Sequence, residues 1–467
     1  MLTKVTSVVK SFVDENLGNS SYLVASEQTR QAVVIDAERD IDRYVRVAEG
    51  LGLRLTHALD THLHADFVSG ARELVAQYGI TIGASADSNL AFDYLRLKEG
   101  DTLSLGDINL GVLATPGHTP EHISFALVEE NHTEPTALFT GGALIVGGAA
   151  RTDLLGHHFT QPLTHLLYET LHQKILRYPD HVAIYPTHGA GSFCNAPSSP
   201  ERITTIGRER QSNPLAFAKS EEEFIAHALD NLPSYPTYFN YLRALNQLGA
   251  EILRGVPVLK PLAPQAVRTQ MAQGVAVVDT RTPREFAAGH IPNSYGIPVG
   301  APLSTWAGWV LPLRAPIILI ADDPSAREDA VRQLIRIGYD NWRGYLDGGI
   351  AAWQGAGLPV TRVPMVSVEE VHRASEQSDG PRILDVRQDT EWRAGHLPHA
   401  IHIEGGRLPF DDVPLAKDAP LVVHCGHSDR STVAISILEQ RGFRDVRLMR
   451  GGFSAWQDAG FPITREE

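Results

Sequence analysis

Val423-His424-Cys425-Gly426-His427-Ser428-Asp429-Arg430-Ser431 is the stretch from which the rest of the chain is read. An apolar run, Pro420 to Val423, delivers the backbone to Cys425; a helical pattern (Val433, Ile435, Ile437, Leu438) opens after Ser431 and closes at Gly442. A cysteine between a strand end and a helix start faces backbone N–H groups and the positive end of a helix dipole. Such donors favour the thiolate, the form of cysteine that attacks. Arg430 follows across four residues and is placed to close the ring and hold an anion over the sulfur. Cys425 and Arg430 are therefore the catalytic candidates, with the backbone of Gly426, His427, Ser428, Asp429 and Ser431 as the cradle.

The flanks extend this reading. Upstream lie I-L-D-V-R (383–387), Glu391 and A-G-H-L-P-H-A (394–400); downstream lie R-G-G-F-S-A-W (450–456) and G-F-P-I (460–463). Together these motifs resemble the rhodanese sulfurtransferases. The resemblance implies a sulfur relay in which a thiolate takes sulfane sulfur from a donor and passes it to a nucleophilic acceptor. A loop one residue longer would suit phosphate esters, so ring size favours sulfur. The same signature occurs about 100 residues earlier as V-V-D-T-R-T-P-R-E-F-A-A-G-H-I-P-N-S (277–294) and D-G-G-I-A-A-W (347–353). That period means two whole domains. Aligning I-I-L-I (317–320) with L-V-V-H (421–424) sets Ala321 on Cys425 and Ala326 on Arg430. Residues 261–364 are thus expected to form an inactive rhodanese-like domain and 365–467 an active one. Asp279, Arg281, Glu285 and His290 recur as Asp385, Arg387, Glu391 and His396, so they are expected to build the fold. Each copy should be a parallel sheet with helices on both faces and its loop at a strand's carboxyl end.

Residues 1–215 alternate strand and helix patterns, which makes the whole chain an α/β multidomain protein. The strand Leu53–Leu59 empties into Thr61-His62-Leu63-His64-Ala65-Asp66-Phe67, and H-x-H-x-D on one turn is a metal-site pattern. His118 in Thr115-Pro-Gly-His118-Thr-Pro-Glu-His122 and His188 in Tyr185-Pro-Thr-His188 follow in order at later strand ends. Taken together, these motifs resemble the metallo-β-lactamase superfamily, nearest to its persulfide (sulfur) dioxygenases, relatives of glyoxalase II. The resemblance implies an αββα sandwich with metal held at one end. It also implies one metal ion, iron in preference to zinc, bound by His62, His118 and an aspartate. Two positions depart from the pattern. Phe67 stands where a second metal's histidine belongs, and Gly142, in Phe139-Thr140-Gly141-Gly142-Ala143-Leu144, stands where the aspartate belongs. Three arrangements stay open. His62, His64 and His118 hold a metal, with Asp66, His188 or water completing the shell; an acid such as Asp153 swings in; or the domain only positions substrate. Arg151 is a candidate for the anionic end of a substrate such as a glutathione-like persulfide, or for a structural ion pair. Cys194 reads as packing beside the site, because no arginine-closed loop follows it.

Residues 216–260 read as a helical connector, opened by Ser220 as a cap before three glutamates and interrupted by Pro233 and Pro236. A net charge of -14 argues against a nucleic-acid partner. No apolar run reaches about 18 residues, so no membrane span is expected. Two cysteines in different domains fit a reducing cytoplasm better than a disulfide framework. The combined expectation is an enzyme of persulfide and sulfide metabolism acting on small persulfides, thiosulfate or sulfite, with homo-oligomerisation left open. The alternatives are a glyoxalase II-like thioester hydrolase and a non-catalytic N-terminal scaffold joined to a working rhodanese.

Overall fold

The structure, a computed structural model, describes residues 7–130, 132–194, 199–230, 232–299, 302–377 and 380–465. It divides into two compact units, Met1–Val256 with Arg336–Gly338, and Pro257–Ile335 with Tyr339–Glu467.

In the first unit one six-stranded sheet runs Ser7–Asp14, Asn19–Ser26, Gln31–Ile35, Arg54–Leu59, Thr81–Ser85 and Leu95–Leu97 in sequence order. A second runs Thr204–Thr205, Ala183–Pro186, Ala137–Gly141, Ile123–Glu129, Ile108–Ala114 and Thr102–Ser104. Their inner faces share one core: Tyr22, Val24, Ile35 and Leu59 from the first sheet meet Ile108, Leu110, Phe125 and Phe139 from the second. The outer faces are apolar as well, so each needs a helical cover. Tyr44, Val45 and Leu74 of the helices Asp42–Gly50 and Ala71–Tyr78 cover Val34 and Ile82. Leu163 and Leu167 of the helix His157–Glu169 are buried, and Leu167 packs on Leu138 and Ile184. This is the αββα metallo-β-lactamase sandwich. Helix Ala71–Tyr78 stops at Gly79, whose φ of 64° is the left-handed cap that glycine adopts without strain. Ser20 N–H donates to Thr187 O at 2.7 Å and Thr187 N–H to Gly141 O at 2.9 Å, which gathers strand ends from both sheets at one edge.

The segment after 215 folds onto this unit. Ser220 Oγ caps the helix Glu221–Leu229 by accepting Glu223 N–H at 3.2 Å, and Phe224 is buried in the core around Leu167. The next helix, Phe239–Leu248, buries Phe239, Leu242 and Asn246.

The second unit holds two five-stranded, wholly parallel sheets. One is ordered Pro261–Leu262, Trp342–Leu346, Ile317–Ile320, Ala276–Asp279, Tyr295–Gly296. The other follows the same order with Met365–Val366, Val446–Met449, Leu421–His424, Arg382–Asp385, Ile401–His402. The repeat extends to single hydrogen bonds. Trp353 Nε1 donates to Pro359 O at 2.8 Å, and Trp456 Nε1 to Pro462 O at 2.9 Å. Asp279 and Asp385, both fully buried, each take a guanidinium from the arginine two residues on, at 2.6 Å. His290 and His396 stack on Phe286 and Trp392 at 3.8 and 3.5 Å. These repeated residues knit turns together in both copies.

The copies also pack on each other. Every residue of the helix Leu303–Val310 is buried, and a Cβ placed on Gly406 would come within 2.3 Å of the Trp309 ring. His290 Nε2 donates to Glu439 of the other copy at 2.8 Å. Among the described residues, no helix is long and apolar enough to cross a membrane.

Candidate functional site

At the gathered edge of the sandwich, His62, His64, His118, His122 and His188 are all buried. Each has one ring nitrogen tied to the surrounding loops. His62 Nδ1 meets Thr61 Oγ1 at 2.9 Å, His118 Nδ1 donates to Arg151 O at 2.6 Å, and His64 Nε2 donates to Asp36 Oδ1 at 3.1 Å. His188 Nδ1 lies 3.0 Å from Asn19 Oδ1 and 3.3 Å from Asp66 Oδ2. Anchoring one nitrogen turns the other inward, as outer partners of metal-bound histidines do. The Nε2 atoms of His62 and His188 are 3.4 Å apart, and His62, His64 and His188 each offer a donor atom within 4.8 Å of the others. The buried Nδ1 of His64 and Oδ1 of Asp66 have no hydrogen-bond partner among the described residues. His122 differs: its Nε2 accepts Gly142 N–H at 3.0 Å and its Nδ1 pairs with Thr115 Oγ1 at 2.9 Å, so both nitrogens are spent on the loops.

Charge agrees with this geometry. Burial, then neighbouring histidines, hold His62 well below the usual imidazole range; burial, then His188, lowers His118 to about 3. Both rings are therefore neutral donors. His64 is the exception, because burial pulls it down but the Asp36 carboxylate outweighs burial and raises it. Burial opposes the charge of Asp66, yet His188 holds its carboxyl low.

Phe67 is fully buried and stacks on His64 with ring centres 4.1 Å apart. A Cβ on Gly142 would lie 2.6 Å from His118 Cδ2, so that imidazole occupies the space an aspartate would need. The residues present fit a metal ion held mainly by imidazole, a donor type that suits zinc, copper, iron and nickel. The carboxylate of a two-His-one-carboxylate face has no counterpart at Gly142. Asp153 is held by Arg151, which donates to it through Nε at 2.6 Å and through a terminal nitrogen at 2.7 Å. The other terminal nitrogen of Arg151 donates to Phe193 O and Pro233 O, and the guanidinium lies 4.7 Å from the Tyr235 ring centre.

The helix Phe239–Leu248 sets the loop from behind. Asn246 Nδ2 donates to the carbonyls of His64 and Phe67 at 2.8 Å each, and its Oδ1 accepts Ser69 N–H at 2.9 Å. Arg243 grips Glu121 at 2.8 and 3.0 Å, and Glu121 in turn accepts Leu63 N–H at 3.0 Å. Sequence reasoning missed these supports. Asn246 lies 182 residues beyond His64 in sequence and belongs to no metal motif.

In the second unit Cys425 follows the strand Leu421–His424, and the helix Asp429–Gln440 begins four residues later. Cys425 is 1 % exposed, at the floor of the loop. Its carbonyl accepts Phe453 N–H at 2.7 Å, and Gly426 O accepts Ser454 N–H at 3.0 Å. Gly452 makes this approach possible: its φ is 58°, and a Cβ there would meet Cys425 O at 2.3 Å. Ser428 O accepts Thr432 N–H at 3.0 Å, Ser431 is buried, and His427 is exposed. Arg430 donates through both terminal nitrogens to Glu391, one of them at 2.8 Å. Burial opposes its charge, but Glu391 and then Cys425 beside it raise its pKa. In the first copy Ala321 follows the strand Ile317–Ile320 and lines a cavity of about 560 Å³ with Arg281, Asp322, Arg327 and Tyr345.

Residues 263–356 and 367–459 both match the Rhodanese-like domain family. The human mitochondrial persulfide dioxygenase ETHE1 is 33 % identical over 210 residues, covering 43 % of this chain and 73 % of that protein. The chain belongs to the persulfide dioxygenase family. A hydroxyacylglutathione hydrolase, GloC of Haemophilus influenzae, is 30 % identical over 215 residues, covering 42 % of this chain and 91 % of that protein. Among solved structures, a metallo-β-lactamase from Staphylococcus aureus superposes with a TM-score of 0.66 at 31 % identity, over 73 % of this chain and 99 % of that one. This persulfide dioxygenase relative with two rhodanese-like domains is an enzyme of the sulfurtransferase class.

Proposed function

We propose that the chain is a fusion enzyme of persulfide and sulfide metabolism, in which Cys425 carries sulfane sulfur and the histidine cluster binds one metal ion, iron in preference to zinc. In this reading residues 1–215 are the metal domain, 216–260 its connector, 261–364 a rhodanese-like copy without activity and 365–467 the active copy. The observation that carries it is Cys425 at the mouth of the helix Asp429–Gln440 with the Arg430 guanidinium alongside.

The Cys425 thiolate attacks the outer sulfur of a persulfide or thiosulfate. The donor's S–S bond breaks, its thiolate or sulfite leaves, and a persulfide stays on Cys425. A nucleophilic acceptor then takes the terminal sulfur and returns the thiolate. Arg430 offsets the negative charge on sulfur in both steps, and the loop's backbone N–H groups hold it in place. Ala321 provides no nucleophile, which makes the first copy a buttress for its neighbour.

His62, His64, His118 and His188 would hold the ion, and iron there would supply oxygen chemistry toward sulfite. The chain's own contribution is to present imidazoles in a buried pocket, those of His62 and His118 neutral, and to fix the cluster through Thr61, Asp36, Arg151 O, Asn19 and Asp66. A thioester hydrolase of the two-metal kind is disfavoured by Phe67 and Gly142. Two free cysteines suit a reducing compartment such as the cytoplasm.

The test is sulfur exchange by a Cys425→Ser variant with thiosulfate and a small persulfide. Loss of transfer, with metal content unchanged, is the expected result. Transfer at the parent's rate would refute the assignment.

A further inference from the structure

With Gly142 offering no donor, another buried side chain lies in reach of the imidazoles. Cys194 Sγ, His118 and His188 form a set whose donor atoms all lie within 4.8 Å of one another, and all three residues are buried. Metal bonds of about 2.0–2.3 Å put tetrahedral donors about 3.3–3.8 Å apart. Side-chain shifts of about an ångström would therefore close the set. The backbone holds the thiol in place: Cys194 O accepts Arg151 N–H at 2.7 Å, and Arg151 O accepts the His118 ring at 2.6 Å. One residue thus pins both a histidine donor and the cysteine. Asp66 Oδ2 is held by Asn19 at 2.8 Å and lies 3.3 Å from His188 Nδ1, so Oδ1 is the carboxylate oxygen left to meet an ion beside the thiol.

We propose that Cys194 is a metal ligand, its thiolate replacing the aspartate missing at position 142. The inference rests on the reading that the histidine cluster binds a metal. Binding expels the thiol proton to solvent and forms one metal–sulfur bond, with no change of oxidation state. A cation beside the sulfur favours the thiolate. The site would then be softer than a two-His-one-carboxylate centre and would rank thiophilic ions higher.

The test uses the full chain loaded with cobalt(II) under reducing conditions. The chain has two cysteines, so in Cys425→Ser a near-ultraviolet thiolate-to-cobalt charge-transfer band can come only from Cys194. That band is expected at one cobalt per chain, is expected to survive in Cys425→Ser and is expected to vanish in Cys194→Ser. One equivalent of cobalt showing ligand-field bands alone would overturn the Cys194 assignment and leave the histidine site standing. Failure to bind cobalt would overturn both. Should Cys194→Ser fail to fold, the Cys425→Ser spectrum decides by itself.

Discussion

Arg430→Met is the substitution that separates chemistry from scaffolding in the sulfur-transfer loop. The Arg430 and Glu391 side chains are 23 % and 36 % exposed, so their ion pair is partly screened. On the scale of exposed pairs, its loss costs about 0.2–1 kcal/mol. For a unit of this size that lowers the melting temperature by at most about 4 °C. The rate should respond far more. The guanidinium is the charged group beside Cys425, and removing one preorganised donor from a developing anion costs about 100- to 1,000-fold, or ~2.7–4 kcal/mol. Steady-state sulfur transfer from thiosulfate and intact-mass detection of the Cys425 persulfide read this directly. Glu391→Gln should act in the opposite direction. It frees the guanidinium from a fixed carboxylate, and ~1 kcal/mol of relieved competition would raise kcat/KM for thiosulfate by about fivefold. Arg430→Met transferring sulfur at the parent's rate, with its fold intact, would refute the role given to the loop.

Three further outcomes are expected. Gly406→Ala should destabilise the second unit by about 1–3 kcal/mol, because the added methyl overlaps the Trp309 ring; an unchanged denaturant midpoint would contradict that packing. Burial raises the Asp385 carboxyl, but His424 and then Arg387 outweigh it and lower its pKa. Its stabilising effect is therefore complete above the ordinary carboxylate pKa of about 3.9 and is lost as pH falls through the lower folded value, so acid unfolding should start at higher pH in Arg387→Met. Elemental analysis should show bound metal in the parent and a clear loss in His62→Ala and His118→Ala; unchanged content would remove both residues from the ligand set.

Much of this molecule is legible from local sequence. The rhodanese motifs lie within single turns or adjoining strands, so Cys425 and Arg430 could be put on one loop from spacing, and Asp385 and Arg387 among the residues that build the fold. The H-x-H-x-D turn, His118 and His188 were legible for the same reason, each sitting where a strand ends. For Arg151 the sequence leaves an anion contact and a structural ion pair both open; in the structure its Nε lies 2.6 Å from Asp153 Oδ1.

What the sequence by itself determined is which chemical groups exist and which strand end or helix start carries each. It also puts glycine at position 142 and alanine at position 321. Only the tertiary structure decided which nitrogen of each histidine faces inward, that His122 spends both of its nitrogens on loops, that Asn246 braces the His64 turn, and that Cys194 lies within reach of His118 and His188. Periodicity and spacing report a residue's place on its own element, because backbone geometry repeats over a few residues. Contacts between elements far apart in sequence arise from packing, and no local pattern records them.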